Sequence, residues 1–438
     1  MTSRGNIISN LKTKIILFPL TFFVSIIVAR ILGPSDQGQF SFAVTFISIA
    51  TLFVMLGFDF GTYYEISTKR SKVENVFFSG LIVNLLISIL IGIIFLIFYR
   101  FSVFPLLNKL SIFHFVLIWI YLLFGILYTF ISKILIASDQ FVFDNRIRLY
   151  LGIIRPFLLV FFVVLLDMKL LGSFFSIAIL SLLSFILIYY KFKTLFKSYH
   201  YIIDKEYIKR SFNYGVQSWF GNVAYMAALR LDLIILSFYV SPFQVGIYAI
   251  SVSLMETLWL IPDSVNSVLL NKISNPEDTI LKKIENMTKV LKMLIAISLS
   301  LAFLLFIFTK YFLVPFGYGV EYSKVIESLM LLLPGGIFFI MFKVISKLFS
   351  GIGLVKITSI IVLFGSSMGV ILYMLLIPKM GILGASIGTS ISYFFIALFS
   401  VFYFQKHFPH HTKSLFTWSI NDLKLYYNEL QLLIFRKN

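Results

Sequence analysis

The residues of this chain that could do chemistry are charged side chains set inside long apolar runs. Arg230, Asp232 and Glu256 fall in such runs, as do Arg155, Lys343, Arg30 and Asp59. A charge in hydrocarbon is costly, so each must face a wet cavity, pair with an opposite charge or reach an interface. Depth separates these cases. At ~1.5 Å per helical residue, Arg230 and Asp232 lie ~18 Å and ~15 Å from Pro242, and Glu256 lies ~19 Å from Phe243, near the middle of a ~30 Å hydrocarbon layer. Arg155 and Lys343 sit ~10 Å from one end of their runs, while Arg30, Asp59, Lys133 and Lys347 lie closer to an interface. A guanidinium offers a planar fork of donors to phosphate oxygens, so Arg230 and Arg155 are candidate anion contacts, with Lys343 and Lys347 one turn apart as a basic stripe. Asp232 and Glu256 are the carboxylates that could carry a coupling ion, unless one is permanently paired with Arg230. Glu256 is the better partner, because an i, i+2 spacing turns Asp232 away from Arg230. Asp59, flanked by Gly57 and Gly61, could line a cavity mouth or serve helix packing.

Other chemistries are thinly represented. Cysteine is absent, which excludes disulfides and thiolate metal sites. No Gly-x4-Gly-Lys-Ser/Thr loop occurs, so a Walker-type nucleotide hydrolysis is excluded. His407 and His411 have the spacing of a helical metal pair, but Pro409 between them disfavours the helix, and no metal site is expected. Tyr225 and Trp219 are among the few polar-face aromatics that could offer a stacking surface, the other aromatics serving lipid contact or packing.

The elements that must position these groups are about twelve apolar stretches of membrane-crossing length, from Ile15–Leu32 to Ile382–Phe404. Hydrophobic residues make up 59% of the 438 residues and charged ones only 13%, which is more apolar surface than a soluble fold buries. Unbroken runs, rather than short alternating strands, predict an all-α integral membrane bundle. Arg4, Lys12 and Lys14 precede the first run without a small-residue cleavage site, so a retained first helix is expected. The net charge of +18 suggests nucleic acid only until its distribution is considered. With the N-terminus in the cytoplasm, most Lys and Arg fall on the inner side, as the positive-inside rule requires, and the basic loops then meet anionic lipid. Beyond the last run, Ile420, Leu423, Tyr427, Leu430 and Ile434 recur at helical spacing, predicting a cytoplasmic amphipathic tail over 411–438.

The two halves of the chain echo one another. Pro34-x3-Gly38-x-Phe40 recurs as Pro242-x3-Gly246-x-Tyr248, and Leu171-Gly172-Ser173 recurs as Leu383-Gly384-Ala385 at nearly the same offset. Six crossings bring the second copy into the membrane in the same direction as the first. Lobes over 1–200 and 201–410, related by a pseudo-two-fold along the membrane normal with a substrate path between them, are therefore expected.

Ala29-Arg30-Ile31-Leu32-Gly33-Pro34-Ser35-Asp36-Gln37-Gly38-Gln39-Phe40 resembles the first outer hairpin of the polysaccharide transporter family, the repeat-unit flippases of the multidrug/oligosaccharidyl-lipid/polysaccharide exporter superfamily. Leu229-Arg230-Leu231-Asp232 and Ile377-Pro378-Lys379-Met380-Gly381-Ile382-Leu383-Gly384-Ala385 are similar to that family's seventh and twelfth helices. The resemblance implies a MATE-like fold and a flippase, not an enzyme, that moves undecaprenyl-diphosphate-linked oligosaccharide across a bacterial inner membrane for O-antigen, lipopolysaccharide or capsule synthesis. It adds Arg30 to the substrate-facing cations and calls for no bound cofactor, with a proton gradient, a sodium gradient or removal of the product open as the driving force. A polysaccharide polymerase and a chain-length regulator are the implied partners, besides membrane lipids. A drug or cation exporter of the same superfamily would call for an excess of deep acidic residues, and the deep charge here is mixed. A membrane polysaccharide polymerase would call for a large outer loop, and the outer connections are short.

Overall fold

The computed structural model describes residues 3–101, 106, 110–196 and 202–417, and among them every regular element is helical. Eleven helical stretches are long and apolar enough to cross a membrane. The number falls one short of twelve because the first two spans run together. Helix α1 (Ser3–Met55) breaks internally at Gly33, where φ is 70° and ψ is 168°. Glycine reaches that backbone state without a Cβ penalty, and Pro34 then opens the next helical segment, where no intrahelical N–H bond is required. After Gly57, at φ 76°, α2 (Phe58–Ser67) completes the second span. The predicted amphipathic tail lies outside the described residues from 418 onward.

The remaining spans are α3 (Val73–Arg100), α4 (Ile112–Ala137), α5 (Phe141–Leu159), α6 (Lys169–Leu195) and α7 (Lys205–Tyr239). Then follow α8 (Pro242–Glu256), α9 (Leu260–Ile273), α10 (Ile280–Phe308), α11 (Val325–Gly351), α12 (Val355–Met380) and α13 (Ile382–His407). Prolines account for the irregular turns. Pro156 precedes a π-helical stretch at Val160–Leu165, and Pro315 lies inside another at Thr309–Tyr318. Pro262 cannot donate to the carbonyl of Leu258, and the 3-10 turn Thr257–Trp259 sits there between α8 and α9. The eighth span therefore bends and continues to Ile273, past the end at Leu260 that hydropathy suggested.

The described residues form two compact units, one from Met1–Ala249 with Phe312–Lys324 and the other from Ile250–Tyr311 with Val325–Asn438. In the first, Phe58, Phe77, Ile131, Ile188, Phe192 and Tyr207 make a buried cluster, with Phe77 and Phe192 stacked at 4.1 Å. Hydrocarbon lipid gives little drive for apolar helices to associate, so close backbone approach and hydroxyl bonds take over. A Cβ on Gly38 would collide with the Pro242 carbonyl and lie 2.8 Å from the Gly246 nitrogen. A Cβ on Gly246 would likewise strike the Pro34 carbonyl and lie 2.9 Å from the Gly38 nitrogen. The two copies of the Pro-x3-Gly motif thus pack on each other. Farther along, Gly57 meets Gly215, Tyr64 stacks on Tyr214 at 3.9 Å, and the Thr62 and Tyr207 hydroxyls bond at 2.7 Å, joining α2 to α7.

The second unit uses the same devices. Gly365 receives Ile396 and Gly369 receives Ser392, bringing α12 against α13. The Ser328 and Ser386 hydroxyls, 2.8 Å apart, tie α11 to α13. Trp259, Phe339 and Tyr393 form an aromatic cluster, with Phe339 and Tyr393 at 4.5 Å.

Candidate functional site

Charged side chains within the helices of the first unit gather in two places. On α7, Asp232 is 2% exposed, and its Oδ2 accepts the Tyr248 hydroxyl at 2.5 Å while Oδ1 accepts the Leu233 amide at 2.7 Å. Tyr248 stands where the first repeat has Phe40, so this bond belongs to the second copy alone. Arg230 is half-buried, with Nη1 3.5 Å from the Leu229 carbonyl, and its different burial fits the two faces that i, i+2 spacing implies. On α2, Asp59 lies 3.8 Å from Lys133 of α4, and the Lys133 ammonium lies 4.6 Å from the centre of the Phe60 ring. The sequence places Lys133 near an interface, as it does Asp59, without pairing the two. The structure brings it to Asp59.

Arg30 is exposed and donates to the Phe316 carbonyl at 2.6 Å, in the π-helical stretch before Tyr318. Tyr322 donates to the Ala29 carbonyl at 2.8 Å beside it. A π-helical stretch leaves carbonyls off the regular ladder, and Arg30 serves one of them. Arg155 is exposed on α5, next to Pro156. Neither joins the Arg230 and Asp232 neighbourhood through a hydrogen bond among those described.

In the second unit Lys343 of α11 is bound by Asp263 of α9, with its Nζ 2.8 Å and 3.0 Å from the two carboxylate oxygens. The same ammonium lies 4.3 Å from the centre of the Trp259 ring. Glu256 and Lys347, both half-buried, are close enough for their charges to act on Lys343. The sequence places Lys343 and Glu256 inside spans but leaves Asp263 out, because the eighth apolar run ends at Leu260. A signal was present. Asp263 and Asn266 are spaced i, i+3, the pattern of a polar face on a helix that continues.

Other paired charges were missed for the same reason, lying at helix ends where hydropathy is uninformative. Arg210 on α7 meets Glu65 on α2 at 3.2 Å, and Arg148 meets the buried Asp144 on α5. Trp219, a candidate sugar platform, donates to the Leu52 carbonyl at 2.8 Å and lies against Phe53, so it packs α7 on α1. His407 bonds the Tyr403 carbonyl at 2.9 Å. Among the described residues no group of three His, Asp or Glu converges as a metal site would.

Comparison with known proteins agrees with this architecture. The structure superimposes on the inward-facing conformation of a multidrug resistance MATE family transporter of the MOP superfamily with a TM-score of 0.73, at 16% identity over 94% of this chain and 100% of that one. Lipid II flippase MurJ, in an inward closed conformation, gives 0.70 at 18% identity over 97% of this chain and 94% of that one. In sequence, the chain is 29% identical to the uncharacterized membrane protein MJ1375 of Methanocaldococcus jannaschii over 40% of its length and 42% of the relative's. It is 26% identical to MJ1068 of the same organism over 48% of its length and 42% of the relative's, so it spans about two fifths of each of these relatives. Residues 3–270, with the Pro-x3-Gly repeat, Arg30, Asp59, Arg155, Arg230, Asp232, Glu256 and Asp263, match the polysaccharide biosynthesis protein family, and this multi-pass membrane protein belongs to that family.

Proposed function

We propose that the protein is a flippase that carries undecaprenyl-diphosphate-linked oligosaccharide units from the cytoplasmic to the outer leaflet of a bacterial inner membrane, for assembly of a surface polysaccharide. The observation that carries this reading is the set of charges held inside otherwise apolar helices, in a chain of a polysaccharide biosynthesis family. Diphosphate and glycan would both be stripped of water if the lipid crossed unaided, at a cost of many kcal/mol. Cations in a wet path remove much of that cost, and Arg230, Arg155, Arg30 and Lys343 are the groups assigned to it. Alternating access between lobes 1–200 and 201–410 would expose them to each side in turn. Asp232, Glu256 or Asp59 would carry a coupling proton or sodium ion. Both termini face the cytoplasm in this scheme, and a polymerase and chain-length regulator receive the product.

The test is leaflet exposure of a labelled undecaprenyl-diphosphate oligosaccharide in liposomes holding the purified protein. Wild type should move the lipid, and Arg230→Ala should slow it by roughly tenfold or more, the loss of ~1.4 kcal/mol of barrier lowering. No movement by folded wild type with its native glycan would end the flippase reading and send the protein to drug-efflux and polymerase assays.

A further inference from the structure

The Asp263 and Lys343 ion pair is lopsided. The lysine side chain is only 8% exposed, whereas the aspartate side chain is 44% exposed. Both carboxylate oxygens face one ammonium, at 2.8 Å and 3.0 Å, the fork that two phosphate oxygens would also present. Lys343 has a second support that does not involve Asp263. Its Nζ stands over the Trp259 ring at 4.3 Å and near Phe339 at 5.7 Å. The indole is itself fixed, with its N–H bonded to the Gly336 carbonyl at 3.0 Å and its face against Phe339. An aromatic face holds a cation in place when its counter-ion leaves.

Asn266 supplies a second, independent sign of a ligand. It lies one turn beyond Asp263 on the same side of α9, is 2% exposed, and neither its amide nitrogen nor its oxygen has a hydrogen-bond partner among the described residues. Buried amides almost always find partners, so a group with both ends open points to something that visits. Lys347, one turn beyond Lys343, adds positive charge, and Glu256 opposes it. Along their helices Asp263 and Lys343 lie ~15 Å and ~12 Å from Ile273 and Gly351, the ends that the basic loops assign to the cytoplasm.

We propose that Asp263 is a stand-in for a phosphate: a phosphate or diphosphate group displaces its carboxylate from Lys343, while Trp259 holds the ammonium and Asn266 donates to the incoming oxygens. For the molecule that carries the phosphate, a polyprenyl lipid, this rests on the flippase reading. Displacement keeps Lys343 charged and seated between rounds of transport, and it makes the empty site neutral overall rather than cationic.

Full-length protein in detergent would be titrated with a polyprenyl diphosphate and, separately, with inorganic diphosphate, using thermal unfolding to monitor the fold. Removing the competing carboxylate by Asp263→Asn should tighten binding about tenfold, and Lys343→Gln should weaken it by about the same factor or more. The double variant should match Lys343→Gln. Unchanged or weaker binding by folded Asp263→Asn overturns the proposal, because the carboxylate is then no competitor. If Asp263→Asn does not fold, the wild-type fluorescence must change saturably with diphosphate and the change must vanish in Trp259→Phe; no such change also overturns it. Inorganic diphosphate that follows this pattern while polyprenyl diphosphate is ignored would keep the site and discard the flippase reading. Lipid movement in liposomes with binding indifferent to both residues would keep the flippase and discard the site.

Discussion

A carboxylate buried as deeply as Asp232 depends on its donors, and the Tyr248 hydroxyl at 2.5 Å is one of them. Tyr248→Phe keeps the ring and removes one hydrogen bond to an ionisable group, which should cost about 1.5–3 kcal/mol. Denaturant unfolding in detergent would measure it, and a change below about 0.5 kcal/mol would show that the bond contributes little to the folded state. The placement of Arg230, Asp232 and Glu256 within long helices was legible in the sequence, because apolar runs of that length have few other structures open to them. Their partners were not. Tyr248 sits in a motif read for its turn, Lys133 looked interfacial, and Asp263 lay beyond a proline, so each pairing depended on how separate helices meet.

At the scale of elements, two glycines decide how α1 and α8 approach. Gly38→Ala or Gly246→Ala pushes a methyl group into backbone, which cannot retreat as a flexible side chain would, and each should destabilise by about 1–3 kcal/mol or more. Gly125 on α4 has nothing within 4 Å of a built Cβ, so Gly125→Ala should be neutral or raise stability by up to about 1 kcal/mol. Thermal midpoints of the three variants in one detergent make the comparison, and equal shifts at Gly38 and Gly125 would refute the close packing. Helix existence was readable almost throughout, since an apolar run of this length has few other structures open to it in lipid. Ends and bends were less so. Hydropathy marks where a helix leaves hydrocarbon, not where it stops, so α7 starting at Lys205 and α10 starting at Ile280 extend beyond the apolar runs. Pro262 similarly marks a bend within a span rather than its close.

For the whole molecule, the lack of native cysteine makes the topology directly measurable. Glu277 and Val320 flank α10, and both are exposed. In intact cells, Val320→Cys should react with a membrane-impermeant maleimide, while Glu277→Cys should react only after permeabilisation. The reverse pattern would invert the orientation, and equal labelling would mean that α10 does not cross. The repeat adds a consequence of another kind. Gly38 and Gly246 hold equivalent places in the two halves of the sequence, and each meets the backbone of the other. A contact in which one surface patch is its own complement is the signature of an isologous dimer. A chain made of one repeat alone would carry both sides of this contact, so two copies could pair through it across a true two-fold axis. In the single polypeptide the same reciprocity ties the two positions together, leaving neither glycine free to change without regard to the other.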